Sequence, residues 1–418
     1  MDQYMDTRSP RLILSFTLLV VMLGYGMIQP LIPFLITQLG ASGRDMGILA
    51  SVYAAMQLVC APFWGSLSDR IGRKPVLLIG VLGYAITMFI FGLATRFWML
   101  FVARTFSGVL SSAAMPTAMA YLSDHLPEKQ RGGAMGQLGA AVGLGVVLGP
   151  LFGGLLSTDS LSLPFFVGSG LALLSLILVW FLLPESHPPE ERTATAEPRE
   201  NFWRRDLLQG LLLGPVGMLM LLIFIIAFGM TNFQTVVGLY VVQRFAFDTR
   251  QVGAIWMVLG GVMIVSQGAL TGWLTKKFGD LAVIKISMLL GAVGFGALLL
   301  ANGFVPFLLA TGFLILAIAL IGPALNSHLS AYGGEHQGAL MGLNTAFASL
   351  GRVAGPLWAG IIFDVNLYYP FVSGAVTLLI GFLFSLLFLR GGKNSTIAHR
   401  AKIDPSPEMN REEQDSSI

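Results

Sequence analysis

The sequence predicts an all-α integral membrane protein with twelve transmembrane helices in two pseudo-symmetric six-helix bundles. Three observations lead there. The 418 residues are 55% hydrophobic and only 11% charged, with a mean hydropathy of +0.75, far outside the range of soluble domains. Apolar runs of roughly 20 residues or more, long enough to cross a bilayer, occur six times, stop, and occur six times again. Finally, the chain repeats itself. Gly132, Gly136, Gly145, Gly149, Pro150 and Gly154 recur 206 residues later as Gly338, Gly342, Gly351, Gly355, Pro356 and Gly360. Upstream, Pro116, Leu122, Ser123 and Glu128 recur 207 residues later as Pro323, Leu329, Ser330 and Glu335, so one deletion separates two copies of a single unit.

The first bundle is expected over 1–183, with spans near 12–39, 46–67, 75–94, 97–122, 133–156 and 164–183. The run at 12–39 is too long for a signal-peptide core and is expected to remain as a span. It carries Tyr25 and Gln29 one helical turn apart, and the second span carries Tyr53 and Gln57 in the same relation, so each pair can face one cavity. The fourth span contains Arg104, a charge whose placement near a bilayer centre costs about 2.5–3.5 kcal/mol on insertion scales and which therefore reads as functional. Met115 and Met119 follow it. In the fifth span Gly145, Gly149 and Gly153 stand four residues apart and leave a bare groove that another helix backbone can enter; Gly149-Pro150 breaks one rung of its ladder.

A cytoplasmic linker is expected over 184–208, with Pro188, Pro189 and Pro198 among charged residues and a short interfacial helix near Phe202-Trp203. The second bundle, 209–390, has spans near 211–242, 252–274, 281–301, 304–331, 338–363 and 370–389. Asn232, Phe233 and Gln234 lie in the first of these, Trp256 in the second, Asn326 and His328 in the fourth, and Asn344, Phe347 and Arg352 in the fifth. The neutral amides, with the methionines and aromatic groups, suggest an amphipathic pocket that adapts to varied ligands, although each amide taken singly also suits helix–helix bonding. The polar stretch 391–418 is expected to be a disordered cytoplasmic tail. Nineteen lysines and arginines fall on the side of the N-terminus and four on the other, which predicts both termini in the cytoplasm of a plasma (inner) membrane protein.

Between the second and third spans runs Gly65-Ser66-Leu67-Ser68-Asp69-Arg70-Ile71-Gly72-Arg73-Lys74. Asp69 sits at the unfavourable end of its own helix dipole, so Arg70, Arg73 or the N-terminus of a neighbouring helix must hold it. This loop resembles the helix 2–3 signature of the major facilitator superfamily, and 145–154 is similar to the helix 5 signature of that family's drug/proton antiporters. Leu100, Arg104 and Gly108 resemble its helix 4 signature, and Gly24, Gly26, Pro30 and Pro33 much of its helix 1 signature.

The resemblance implies a conformational latch at Gly65, Asp69, Arg70, Gly72 and Arg73 and an Arg104 that assists proton movement. It also implies an interface between the halves lined by the stripes Gly145, Gly149, Pro150, Gly153, Gly154 and Gly351, Gly355, Pro356. The counterpart loop from Gly272 to Gly279 has Lys276 and Lys277 in place of the acid and its arginine, so the latch is expected on one side only. Where relatives often carry a proton-binding acid on helix 1 or 7, this chain has Val21 and Gln234, which leaves Asp69, Asp124 and His328 as proton-relay candidates beside Arg104.

A single cysteine, Cys60, excludes an internal disulfide and a cysteine-based metal site. No phosphate loop, dinucleotide fingerprint, metal-ligand cluster or nucleophile elbow occurs, so ATP drive, enzymatic chemistry, cofactors, metals and nucleic-acid partners are not expected. The expected function is export of amphipathic drugs in exchange for protons by a monomer in the bilayer. Export of a metabolite, a sugar or an anionic, lipid-like compound would fit the same signatures.

Overall fold

The computed structural model describes residues 8–186, 215–332 and 337–389. The proposed linker helix at Phe202-Trp203 and the tail 391–418 lie outside the described residues. Among those described are twelve helices long and apolar enough to span a membrane. In chain order they are α1 Arg8–Gln38, α2 Gly43–Ile71, α3 Arg73–Gly92, α4 Phe97–His125, α5 Glu128–Leu156 and α6 Leu163–Leu182. The second set is α7 Pro215–Phe245, α8 Thr249–Phe278, α9 Asp280–Leu300, α10 Phe304–Ser330, α11 Gln337–Val365 and α12 Tyr369–Phe388.

Local chemistry sets the helix ends in matching ways in the two halves. Ser42 and Asp45 form a capping box at the start of α2, and Asp248 and Gln251 form one at the start of α8. Gly72 (φ 105°) and Gly279 (φ 81°) turn α2 into α3 and α8 into α9 in a region of backbone space that disfavours side chains. A π-turn at Ser266–Leu270 interrupts α8, with the Ser266 hydroxyl donating to the Val262 carbonyl at 2.6 Å.

In the first half α1 packs on α5 and α6, α3 on α4 and α6, and α2 on α4. In the second, α7 packs on α11 and α12, α9 on α10 and α12, and α8 on α10. The halves meet chiefly through two helix pairs, α2 with α11 and α5 with α8, with lesser contacts of α1 to α7 and α8 and of α2 to α7. Outward-facing side chains such as Ile86, Phe89, Ile177, Phe181, Val293 and Leu383 are exposed and apolar, as a lipid-facing surface requires.

The glycine stripes take a different place from the one expected of them. A Cβ on Gly145 would stand 2.7 Å from the Leu19 carbonyl oxygen, one on Gly153 2.7 Å from that of Met27, and one on Gly149 would overlap the Leu23 carbonyl. All three partners belong to α1, so this stripe closes the first bundle internally. Gly351 and Gly355 do the same against Phe224 and Phe228 of α7. The halves touch along the next face round the helix. Gly154 abuts Thr249 and Arg250, and the Pro150 carbonyl abuts Gly253, both on α8; Pro356 and Gly360 abut Gly47 and Gly43 of α2. Of the residues expected at the interface, Pro150, Gly154 and Pro356 lie on it, while Gly145, Gly149, Gly153, Gly351 and Gly355 do not. The reason is helical geometry: residues four apart share a face, and position 150 lies about 100° from position 149.

Both cross-half contacts gather toward the face that bears the α1–α2 and α7–α8 turns, called here the far face. There the Asp364 carboxylate accepts from the Gly43 N–H (2.7 Å) and the Arg44 N–H (2.9 Å), the Ser51 hydroxyl donates to the Val353 carbonyl (2.8 Å), and the Thr249 hydroxyl donates to the Gly154 carbonyl (3.2 Å). Toward the opposite, N-terminal face the helices part. Gly65 of α2, Gly132, Gly136 and Gly139 of α5, Gly268 and Gly272 of α8 and Gly338 of α11 all have open space where a Cβ would stand. The polar Gln137, Gln267 and Asn326 are exposed and Asn344 half-buried in the same region.

Candidate functional site

Where the two seams converge, both halves enclose a cavity of about 130 Å³. This is the sealed end of the opening toward the N-terminal face, since it lies beside the far-face contacts of Ser51 and Pro356. One whole face of α2 lines it, Met46, Leu49, Ala50, Tyr53, Ala54 and Gln57, a run at helical spacing. From α1 come Tyr25, Gln29 and Ile32, and from α4 comes Arg104. The second half supplies Thr231, Gln234 and Thr235 from α7, Trp256 from α8, and Arg352 and Pro356 from α11.

The position of Arg104 follows from a glycine. A Cβ on Gly108 would lie 2.7 Å from the Tyr53 carbonyl oxygen and 2.8 Å from the Met56 Cβ, so only a bare position lets α2 approach α4 this closely. That approach lays the Tyr53 ring under the Arg104 guanidinium at 4.4 Å, with the Tyr25 ring 6.0 Å away. The two tyrosines stack on each other with centroids 5.8 Å apart. Gln57 Nε2 donates to the Tyr53 hydroxyl at 2.9 Å, and that hydroxyl pairs with Ser111 Oγ at 3.3 Å. Arg104 is 3% exposed, and its Nε and Nη1 have no hydrogen-bond partner among the described residues; nor does Trp256 Nε1. On the other side Arg352 Nη2 donates to Ser349 Oγ at 2.8 Å.

Seven of the fourteen expected substrate-contact residues therefore meet in one place: Tyr25, Gln29, Tyr53, Gln57, Gln234, Trp256 and Arg352. The other seven lie elsewhere. Met115 and Met119 pack against the apolar core of the first bundle, and Phe347 against that of the second. Phe233 is fully buried between Phe295 and Phe371. Asn232 ties α7 to α12, donating to the Pro370 carbonyl at 2.9 Å. Asn326 and Asn344 bond to each other at 2.7 Å near the N-terminal face. Thr231 and Thr235 were not anticipated; the equivalent contacts of α1 and α7, Leu19 on Gly145 and Phe224 on Gly351, are 205 residues apart and match Gln29 with Gln234.

The motif after α2 forms a separate cluster on the N-terminal face. Arg73 pairs with Asp69, donates through Nε to Asp124 at 2.9 Å, and donates through Nη1 to Ser68 Oγ at 3.0 Å. Glu185, which sequence reasoning passed over, accepts from the Arg73 N–H at 2.9 Å and the Lys74 N–H at 3.2 Å, a carboxylate at the favourable end of α3. In this state the side chains of Asp69 and Arg73 bond within the first half, to each other and from Arg73 to Ser68 and Asp124, and Gly65 has open space beside it. In the second half Lys277 instead stacks over Trp273 and Phe278. His328 lies at the end of α10 against Tyr332. Of the four relay candidates only Arg104 reaches the cavity; Asp69, Asp124 and His328 sit at helix ends on the N-terminal face.

Comparison with known proteins agrees with this architecture. The family description of the Major Facilitator Superfamily matches residues 14–356 and 269–412. Multidrug resistance protein 2 of Bacillus subtilis is 33% identical over 372 residues, covering 88% of this chain and 92% of its own. Quinolone resistance protein NorA of Staphylococcus aureus is 28% identical over 393 residues, covering 94% and 97%. Among solved structures, a bacterial homologue of the human lysosomal transporter Spinster, inward-facing and unoccupied, superposes with a TM-score of 0.78 at 17% identity over 93% of this chain and 98% of that one. The twelve-helix fold, the paired seams around a central cavity and these matches together establish that the chain belongs to the major facilitator superfamily of membrane transporters, among its multidrug resistance relatives.

Proposed function

We propose that the protein is a monomeric secondary exporter that carries amphipathic drugs across the plasma membrane in exchange for protons, by alternating access. One observation carries this reading: a cavity shared by both halves is shut at one face by two symmetry-related seams and open at the other. The excess of lysine and arginine on the N-terminal side assigns that open face to the cytoplasm, so the described state is the one that loads. Relatives named for resistance to many drugs and to quinolones support drugs as cargo.

Release outward requires both far-face seams to part while the N-terminal face closes. Asp69 then has a natural partner in the start of α11, since a carboxylate is stabilised at a helix N-terminus; Asp364 already makes this contact with α2 on the far face. Asp69, Asp124 and His328 are placed to exchange protons with the cytoplasm, and Arg104 links the relay to the cargo site.

The test is dye transport in proteoliposomes under an imposed pH gradient. Transport that follows the gradient and collapses with a protonophore is the expected result; transport indifferent to the gradient would exclude proton exchange.

A further inference from the structure

We propose that the central cavity selects cargo bearing a carboxylate or similar oxyanion beside an aromatic ring, with the negative group held by Arg104 of the first half and Arg352 of the second. The inference rests on reading this cavity as the cargo site. It starts from an imbalance of charge. Two guanidinium groups line the cavity, and none of its lining residues is Asp, Glu or His. The carboxylates among the described residues stand at helix ends and turns, where Asp69 and Asp124 are taken by Arg73, and Asp364 by the α2 N-terminus.

Donors are also in surplus. Arg104 Nε and Nη1 and Trp256 Nε1 are buried without an acceptor among the described residues. A buried cation whose protons are unmatched is costly, and the Tyr53 face only partly offsets it. An oxyanion would satisfy both needs, because a guanidinium presents parallel donors that match a carboxylate. The stacked Tyr25 and Tyr53 rings and the Trp256 indole give a planar apolar group its place beside that anion. A cationic cargo would face two positive charges with no counter-charge in the lining. Because Arg104 and Arg352 belong to opposite halves, one bound anion draws the halves toward each other, which makes occupancy matter to the conformational equilibrium.

The test compares three fluorescent probes of similar size on the purified full-length chain in micelles, read by anisotropy: dansylglycine as the carboxylate, its methyl ester as the neutral form, and dansyl-ethylenediamine as the cation. Dansylglycine is expected to bind about tenfold more tightly than the ester, and the cation more weakly than the ester. Arg104→Gln and Arg352→Gln should each bring the acid-to-ester ratio close to one, with gel filtration and thermal melting reporting whether each variant is folded. Should Arg104→Gln fail to fold, Arg352→Gln, at an exposed position of α11, carries the comparison.

Equal binding of acid and ester, tightest binding of the cation, or a ratio unmoved by the folded variants would overturn the proposal. Saturable displacement of dansylglycine by chloride, titrated against fluoride at constant ionic strength, would make this an inorganic halide site and also overturn it. If the acid preference holds while none of the probes is moved by a pH gradient in proteoliposomes, the exporter reading fails and the anion site stands.

Discussion

At the seam between α2 and α11, the Asp364 carboxylate sits on the first two N–H groups of α2. At the seam between α5 and α8, the 206-residue repeat puts Thr158 in the corresponding place, and its hydroxyl bonds to the Leu155 carbonyl of its own helix. Both seams share a steric core, Gly47 against the Pro356 carbonyl and Gly253 against the Pro150 carbonyl. In the α5/α8 seam Gly143 also meets Ile264, and Gly260 meets Val146 and Val147. Beyond each seam the helix has a weakened ladder, at Pro62 in α2 and at the Ser266–Leu270 π-turn in α8. One seam thus adds a charged clasp to the shared steric core, and the other relies on fit and one hydroxyl bond.

The largest effect should come from the shared core. Gly47→Val and Gly253→Val each place a side chain against a backbone carbonyl that cannot move aside, an overpacking of about 1–3 kcal/mol felt only when the far face is closed. Each variant should therefore favour the outward-open state and lose about tenfold or more in transport. Reaction of a Ser51→Cys probe with impermeant reagents from either side would report this, and an unchanged accessibility in both variants would show that the seams are not gates.

Gly149→Leu is expected to act differently, because Gly149 faces α1 within one bundle. Overpacking of similar size, about 1–3 kcal/mol, should appear as a lower melting temperature in detergent, with sidedness of access kept. A variant of normal stability that was locked on one side would restore the interface role to this stripe.

Asp364→Ala should loosen only the charged seam, by about 0.5–2 kcal/mol, as for loss of a helix N-cap. Far-side labelling should rise severalfold at Ser51→Cys and little at a cysteine placed in α8. Equal rises at both seams would mean that they open as one unit.

The smallest change is Thr249→Val, which removes one hydroxyl bond to the Gly154 carbonyl and should shift the same labelling by about threefold or less. A larger effect than that of Asp364→Ala would reverse the ranking of charge over fit.

Much of the fold was legible because bilayer thickness sets helix length and the repeat marks equivalent positions. All twelve spans appear where apolar runs foretold them, extended by a turn or so at ends such as Arg8 and His125. The cavity was legible where polar residues recur one turn apart, as in Tyr25 with Gln29 and Tyr53 with Gln57. Asn232 and Phe233 misled, since neighbouring residues on a helix point in different directions and only Gln234 of that triplet faces the cavity. Met115 and Met119 misled because apolar residues suited to a pocket suit a core equally well.

By itself, the sequence determined the number of spans, their duplication, and the presence of two small-residue faces on α5 and α11, because hydropathy and helical period are local properties of a chain. Only the tertiary structure decided which face meets a partner in its own bundle and which meets the other half. It alone also gathered Arg104 and Arg352 from distant helices into one cavity with no acid in its lining. A stripe of glycines says that some backbone will come close; which one is settled by the packing of all twelve helices together.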